Sequence, residues 1–208
     1  MTDYAAFGML SPTTLADALA REQVMDRRIR PLWPNMPRIA GPAYTVRCAP
    51  GDNLMLHAAI YRARPGSVIV VEAGDDQFAV AGGNVCAVAQ RLGIAGFVID
   101  GVIRDVAEAR GIGFPVFARG VVPIPGRKEA VLPLNEPVSC GGVMVGPGDP
   151  VIADEEGIVV VPLAAAGEVL WRAQARAAKD AADTLASWEA EHRAKIEEIL
   201  RAKGFGEE

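Results

Sequence analysis

Arg104 and Asp105 are adjacent and follow the apolar run Gly96 to Asp100. A guanidinium is a permanently charged planar fork that suits a carboxylate or an enolate oxygen. An aspartate is a hard oxygen donor for Mg²⁺, an ion that binds few protein groups and keeps several waters. The same pair also fits a plainer role, a helix-capping Asp105 beside a surface arginine. Twenty residues upstream, Gly82-Gly83-Asn84-Val85 opens a helical stretch. Glycines there let a ligand approach the backbone, and the free amides of a first helical turn attract anions. A Gly-Gly pair also serves as an ordinary start to a helix. Together, the glycines and Arg104 stand at the ends of neighbouring βα units, where open α/β folds bind small anionic ligands.

Other candidates carry less. His57 lies in a stretch rich in Leu, Met and Ala, as a buried structural histidine or a catalytic one. Asp52 and Asn53 read as turn and cap residues. Asp154-Glu155-Glu156 forms an acidic turn before a strand, with a metal role as the alternative. His192, with Glu189 and Glu191, sits on a solvated helix face. The four lysines are Lys128 in a loop and Lys179, Lys195 and Lys203 near the C-terminus. None lies in an apolar strand, where desolvation would prepare it for Schiff-base chemistry. For a keto acid, a metal is therefore the better electron sink. No Ser or Cys nucleophile pattern points to a hydrolase.

The elements that must position these residues are legible. Ser11-Pro12 starts a helix after a loose N-terminal arm. Four prolines between positions 31 and 42 make that stretch a loop. Ala43 to Cys48 alternates as a strand. Pro50 to Asn53 is a turn capping a helix to about Ala63. Ser67 to Glu72 and Gly96 to Asp100 are continuous apolar runs of buried strands. Asn84 to Leu92 is a helix, and Pro115 to Ala118 is strand-like. Val138 to Val145, a Gly-Pro-Gly-Asp turn at 146–149 and Val151 to Asp154 form a hairpin unit, followed by the strand from Gly157 to Val161. From Leu163 to about Lys203 the pattern is helical. At 1.5 Å per residue that is roughly 60 Å, longer than the domain is wide, so a break or a projection is expected. Leu185, Trp188, His192, Ile196 and Ile199 make a stripe along it that packs on itself after a bend or on a neighbouring subunit.

The bulk numbers suit a soluble globular chain. It has 208 residues, 50% hydrophobic and 23% charged, with a net charge of -5. That balance argues against nucleic acid, which rewards basic surfaces. The basic run at 27–30 reads as a solvated loop or a subunit contact. Three separated cysteines, Cys48, Cys86 and Cys140, suggest reduced core thiols. No leader or membrane-spanning run is seen, so a cytoplasmic location is expected.

The stretch from Gly82 to Asp105, ending VIDGVIRD, resembles the RraA-like family, which includes the class II 4-hydroxy-4-methyl-2-oxoglutarate/4-carboxy-4-hydroxy-2-oxoadipate aldolases. Further similar motifs are LADAL at 15–19, GPAYTV at 41–46, PGDN at 50–53, PVFA at 115–118, PGD at 147–149 and DEEGIVVVP at 154–162. The resemblance implies a compact α/β/β sandwich over residues 1–165 and a long C-terminal helical extension over 166–208. It implies homotrimers or homohexamers with active sites between subunits. For function it implies a divalent-metal-dependent lyase that cleaves a 4-hydroxy-2-keto diacid to pyruvate, with oxaloacetate decarboxylation as a companion reaction. By the same resemblance Arg104 grips pyruvate and Asp105 ligates Mg²⁺ or Mn²⁺. The backbone at Gly83, Asn84 and Val85 holds the substrate carboxylate, and Glu189 of a neighbouring subunit approaches the metal's waters. The aldolases carry an acidic residue twenty-one positions before the arginine, and here that position is Gly83. Losing such outer support commonly costs about 10–100-fold in metal affinity or activity. The alternative is a non-catalytic member that binds and regulates a partner such as ribonuclease E. A methyltransferase lacks support, because no glycine-rich cofactor loop follows a first strand.

Overall fold

The computed structural model describes residues 2–205. Three parallel crossings build its centre. Strands β2 (Ile39–Arg47), β3 (Val68–Glu72), β4 (Gly96–Ile103) and β5 (Val116–Val121) pair in parallel, in the order β5-β4-β3-β2. Helices α3 (Leu54–Ala59), α4 (Gly83–Arg91) and α5 (Val106–Gly111) connect them. Strands covered on both faces must be apolar throughout. Val68 to Val71 and Phe97 to Ile99 are accordingly all at 0% exposure.

Antiparallel strands extend the sheet at both edges. Strand β1 (Arg30–Pro31) pairs with β5, while β8 (Pro150–Asp154) pairs with the first half of β2 and with β9 (Gly157–Val160). The result is one mixed seven-stranded sheet in the order β1-β5-β4-β3-β2-β8-β9. This is the expected α/β architecture, with its ribbons and C-terminal helices.

Several local expectations are corrected. The N-terminal arm is helix α1 (Tyr4–Gly8), capped by Asp3, and Phe7 at 1% exposure anchors it. The proline-rich stretch contributes β1 and the start of β2. Proline is tolerated there because β1 is an edge and Pro42 faces Pro150, a register position where both strands lack an N–H. Helix α2 (Pro12–Ala16) is capped by Ser11, as its sequence indicates. Helix α3 stops at Ala59; Asn53 occupies its N-cap position, but its side chain makes no cap bond. Asp52 Oδ1 accepts the Leu54 N–H at 2.8 Å instead. The hairpin turn is Gly141-Gly142 between β6 (Val138–Cys140) and β7 (Val143–Val145). Both glycines have positive φ, 58° and 78°, as a two-residue turn of this hand requires. The turn at 146–149 leads on to β8, closed by a 2.7 Å bond from Gly146 N–H to Asp149 Oδ2.

The chain divides into two compact units, Met1–Ala173 and Gln174–Glu208. Helix α6 (Ala166–Ala182) runs across that border. The second unit contains α7 (Leu185–Ala202), set off by a break at Asp183-Thr184 where Thr184 and Ser187 form a reciprocal capping box. No described residue of α7 is buried, and Trp188 stacks on His192 with ring centroids 4.5 Å apart. No described helix is long and apolar enough to cross a membrane.

All three cysteines are buried and unpaired. Burial pushes their thiols up, Cys48 to about 11 and Cys86 to about 12, with Cys140 higher still. The thiolate is the reactive form. Native protein should therefore leave an aromatic disulfide reagent essentially unconsumed at pH 8, and all three thiols should titrate in denaturant. Rapid labelling of the native chain would contradict this placement.

Candidate active site

One cavity of about 220 Å³ brings Arg104 and Asp105 together with the start of α4. Its walls include Asn53, His57, Ala79, Gly82, Asn84, Val85, Arg104, Asp105, Pro125 and Lys128. Strand β4 and helix α4 supply one side. The main chain at Arg104 donates to Ala81 O at 3.0 Å, and Val80 N–H donates to Val102 O at 3.0 Å, which holds the loop before α4 along the end of β4. Asp105 then reverses the chain into α5 from a left-handed conformation, φ 55° and ψ 38°. Such a backbone is costly for a residue with a Cβ and collects at functional sites.

That reversal turns the Asp105 carboxylate back onto α4. Its Oδ2 accepts the Gly83 N–H at 3.3 Å and lies 3.4 Å from Arg104 Nε. The two side chains of this pair therefore point into the same cavity. Arg104 is 43% and Asp105 38% exposed, so both can meet a ligand. Gly82 is an extended residue, and its glycine identity is set by contact. A Cβ there would lie 2.6 Å from Asp105 Oδ2 and 3.2 Å from Arg104 Nε.

The opposite wall comes from α3 and the irregular segment after β5. Asn53 Nδ2 donates to Gly126 O at 3.1 Å and to Ala79 O at 3.4 Å, tying both loops to the start of α3. Asp52 Oδ2 accepts the main-chain N–H of Glu129 at 2.6 Å and of Ala130 at 3.2 Å. These bonds bring Lys128 beside the cavity. His57 rises from the next turn of α3. Burial, then the charges of Lys128 and Arg104, push its pKa down to about 4, so it is neutral at pH 7.

A divalent ion of the Mg²⁺ type asks for one or two carboxylates and room for water. The half-exposed Asp105 carboxylate, opening onto the cavity, fits that need. Among the described residues no trio of His, Cys, Asp or Glu converges to cage a metal. An ion here would be held mainly by Asp105, water and ligand oxygens. Glu189 lies exposed on α7, within the second compact unit. Asp154 is engaged elsewhere: it pairs with Arg38 at 3.0 Å and closes the β8–β9 turn through Glu156 N–H at 2.9 Å.

Residues 84, 85, 104 and 105 line this cavity, and Gly83 adjoins it through its bond to Asp105. His57, a candidate with a structural or a catalytic reading, joins them, and Lys128 does so unannounced. His57 sits one helical turn after Asn53, a spacing that hinted at a shared face, whereas Lys128 arrives through bonds distant in sequence. A larger cavity of about 440 Å³, lined by Arg28, Glu72, Asp75, Asp76, Asp100 and Arg119, has most of its charges engaged within the fold. Arg119 pairs with Asp100 and Asp26, and Glu72 with Arg47 and the Ser139 N–H.

The chain belongs to the RraA-like family (Aldolase/RraA), whose profile it matches over residues 12–160. It is 41% identical, over 85% of its length and 84% of the relative's, to a Halalkalibacterium halodurans protein provisionally named 4-hydroxy-4-methyl-2-oxoglutarate aldolase. Among solved structures it is similar to an uncharacterized Pseudomonas syringae pv. tomato protein, at 30% identity, TM-score 0.76 and coverage of 85% and 84% of the two chains. It is also similar to a Streptomyces coelicolor protein described as an unusual member of the RNase ES inhibitor RraA family, at 28% identity, TM-score 0.72 and coverage of 94% and 100%.

The pH dependence of stability follows from His57. Its ordinary value of 6.5 returns on unfolding, so between about 6.5 and 4 the unfolded chain binds more protons than the folded one. The His57 contribution is whole above 6.5 and is lost as pH falls toward 4. Urea midpoints at pH 7 and pH 4.5 should therefore differ less in His57→Gln than in the parent. An equal fall in both proteins would contradict a buried neutral imidazole.

Proposed function

We propose that this cavity is the active site of a divalent-metal-dependent lyase that releases pyruvate from a 4-hydroxy-2-keto diacid, and that it also decarboxylates oxaloacetate. The observation carrying the proposal is the convergence of Arg104, Asp105 and the first turn of α4 on one small cavity. The relatives' aldolase names support the reaction class.

Each group has a role that its chemistry allows. The free amides at Asn84 and Val85 receive the carboxylate next to the keto group, beside Gly83, whose own N–H is taken by Asp105. Arg104 faces the keto oxygen and meets the charge that grows there. Asp105 holds Mg²⁺ or Mn²⁺, which when bound polarises the pyruvyl oxygens. The C4 hydroxyl proton passes to water and the C3–C4 bond breaks. Its electron pair becomes the pyruvate enolate, and C4 becomes a carbonyl. The enolate then takes a proton at C3. Neutral His57 offers a hydrogen bond to the distal half of the ligand, and Lys128 offers charge to a second carboxylate. Fixed positive charge at the developing enolate typically contributes several kcal/mol.

The same reading has the chain in the cytoplasm as a homotrimer or homohexamer, without nucleic acid or membrane. The exposed apolar stripe of α7 would rest on a neighbour, and Glu189 would approach the neighbour's metal waters. The likeness to an RNase ES inhibitor supports a second reading, a regulator that binds a ribonuclease of the ribonuclease E type.

Pyruvate release from 4-hydroxy-4-methyl-2-oxoglutarate and from oxaloacetate should require Mg²⁺ or Mn²⁺ and stop with EDTA. Asp105→Ala should abolish it, and Arg104→Ala should lower kcat about 10²–10³-fold. Undiminished turnover in Asp105→Ala, or inertness on both acids alongside tight inhibition of a ribonuclease, would overturn the lyase reading.

A further inference from the structure

Gly83 is not a glycine for the sake of its backbone, which is helical. It is a glycine because another side chain occupies its Cβ position. A Cβ on residue 83 would lie 1.9 Å from Glu108 Oε2 and 2.8 Å from Glu108 Cβ. The clash with Cβ, close to the α5 main chain, is not relieved by swinging the carboxylate alone. Glu108 is the third residue of α5, and Asp105 is the cap residue just before that helix. Asp105 Oδ2 rests against Gly82 and accepts the Gly83 N–H, while Glu108 Oε2 rests against Gly83. The carboxylates of the α5 cap and of its third residue thus lie along two consecutive positions without side chains.

No hydrogen bond or ion pair among the described residues engages the Glu108 carboxylate. Its location also conflicts with its surroundings if nothing else binds there. The first turn of α4 and Arg104 suit an anionic ligand, and two negative charges beside them would repel it. Arg104 offsets one of them. A divalent cation near the carboxylates would remove the remaining conflict, and its waters would give Glu108 hydrogen-bond donors.

We infer that Glu108 is a positioning residue of the metal site: its carboxylate takes the space that Gly83 leaves open and orients water on an ion held by Asp105. The inference rests on the metal-dependent reading above. The acidic group absent at position 83 is thereby supplied from the facing helix. Gly83 and Glu108 act as a matched pair, and an acidic residue at 83 is compatible with the site only when Glu108 is gone.

The test is Mn²⁺ binding to the full chain, read as loss of the free-ion electron paramagnetic resonance signal, alongside pyruvate release. Glu108→Gln is isosteric and keeps the fold, which thermal unfolding verifies. It should weaken Mn²⁺ binding about 10–100-fold. Gly83→Asp alone should also bind poorly. The double variant Gly83→Asp with Glu108→Ala should recover binding to within severalfold of the parent, an interaction far from additive. Parent-like Mn²⁺ affinity in Glu108→Gln, or a double variant no better than Glu108→Ala, would overturn the inference. If Asp105→Ala binds Mn²⁺ as the parent does, the metal-dependent reading itself fails. If Asp105→Ala loses the ion while Glu108→Gln keeps it, only the role of Glu108 fails.

Discussion

Everything at this site depends on one constraint: residues 82 and 83 must present bare backbone to α5. The reversal at Asp105 brings the facing helix so close that its carboxylates fill the volume where side chains would begin. The left-handed backbone of Asp105 is stable only because the surrounding structure holds it, with β4 fixed on one side and α5 starting at once on the other. An α/β sheet usually offers a ligand its strand ends and helix starts. Here the strand end and the helix start are pressed together until acid, guanidinium and amide lie within a few ångströms.

Much of this was legible in the residues. The β-branched runs of β3 and β4 can be little else than buried parallel strands, and Arg104-Asp105 had to fall at the end of one. The glycine pair had to open α4. Less legible were features without periodicity. Helix α1 is only five residues long, and one buried phenylalanine fixes it. The hairpin turn at Gly141-Gly142 competed with a Gly-Pro-Gly-Asp sequence that looks at least as turn-like. Asp52 supplies the capping bond although Asn53 holds the cap position, because a carboxylate with two oxygens can cap α3 and clamp a loop at once, whereas the amide is free to bind two carbonyls.

Glu108 and Lys128 show two different kinds of concealment. Glu108 was accessible in principle, as the third residue of the helix that Asp105 precedes. Its meaning needed the close approach of α4, which no local pattern encodes. Lys128 lies in a proline-rich stretch that says only "loop". Its position follows from Asp52 and Asn53, more than seventy residues earlier, and from the bridge between Ala79 and Pro125. Side-chain clamps reaching across the chain leave no periodic trace.

Those clamps have an evolutionary consequence. The wall bearing Arg104 and Asp105 is built from strand and helix and is hard to vary without disturbing the core. The wall bearing Lys128 is an irregular ribbon fastened mainly through backbone atoms, so its side chains are largely free to change. Relatives can thus inherit one reactive corner and exchange the opposite rim, diversifying the molecules they accept by rewriting a loop while the scaffold stays constant.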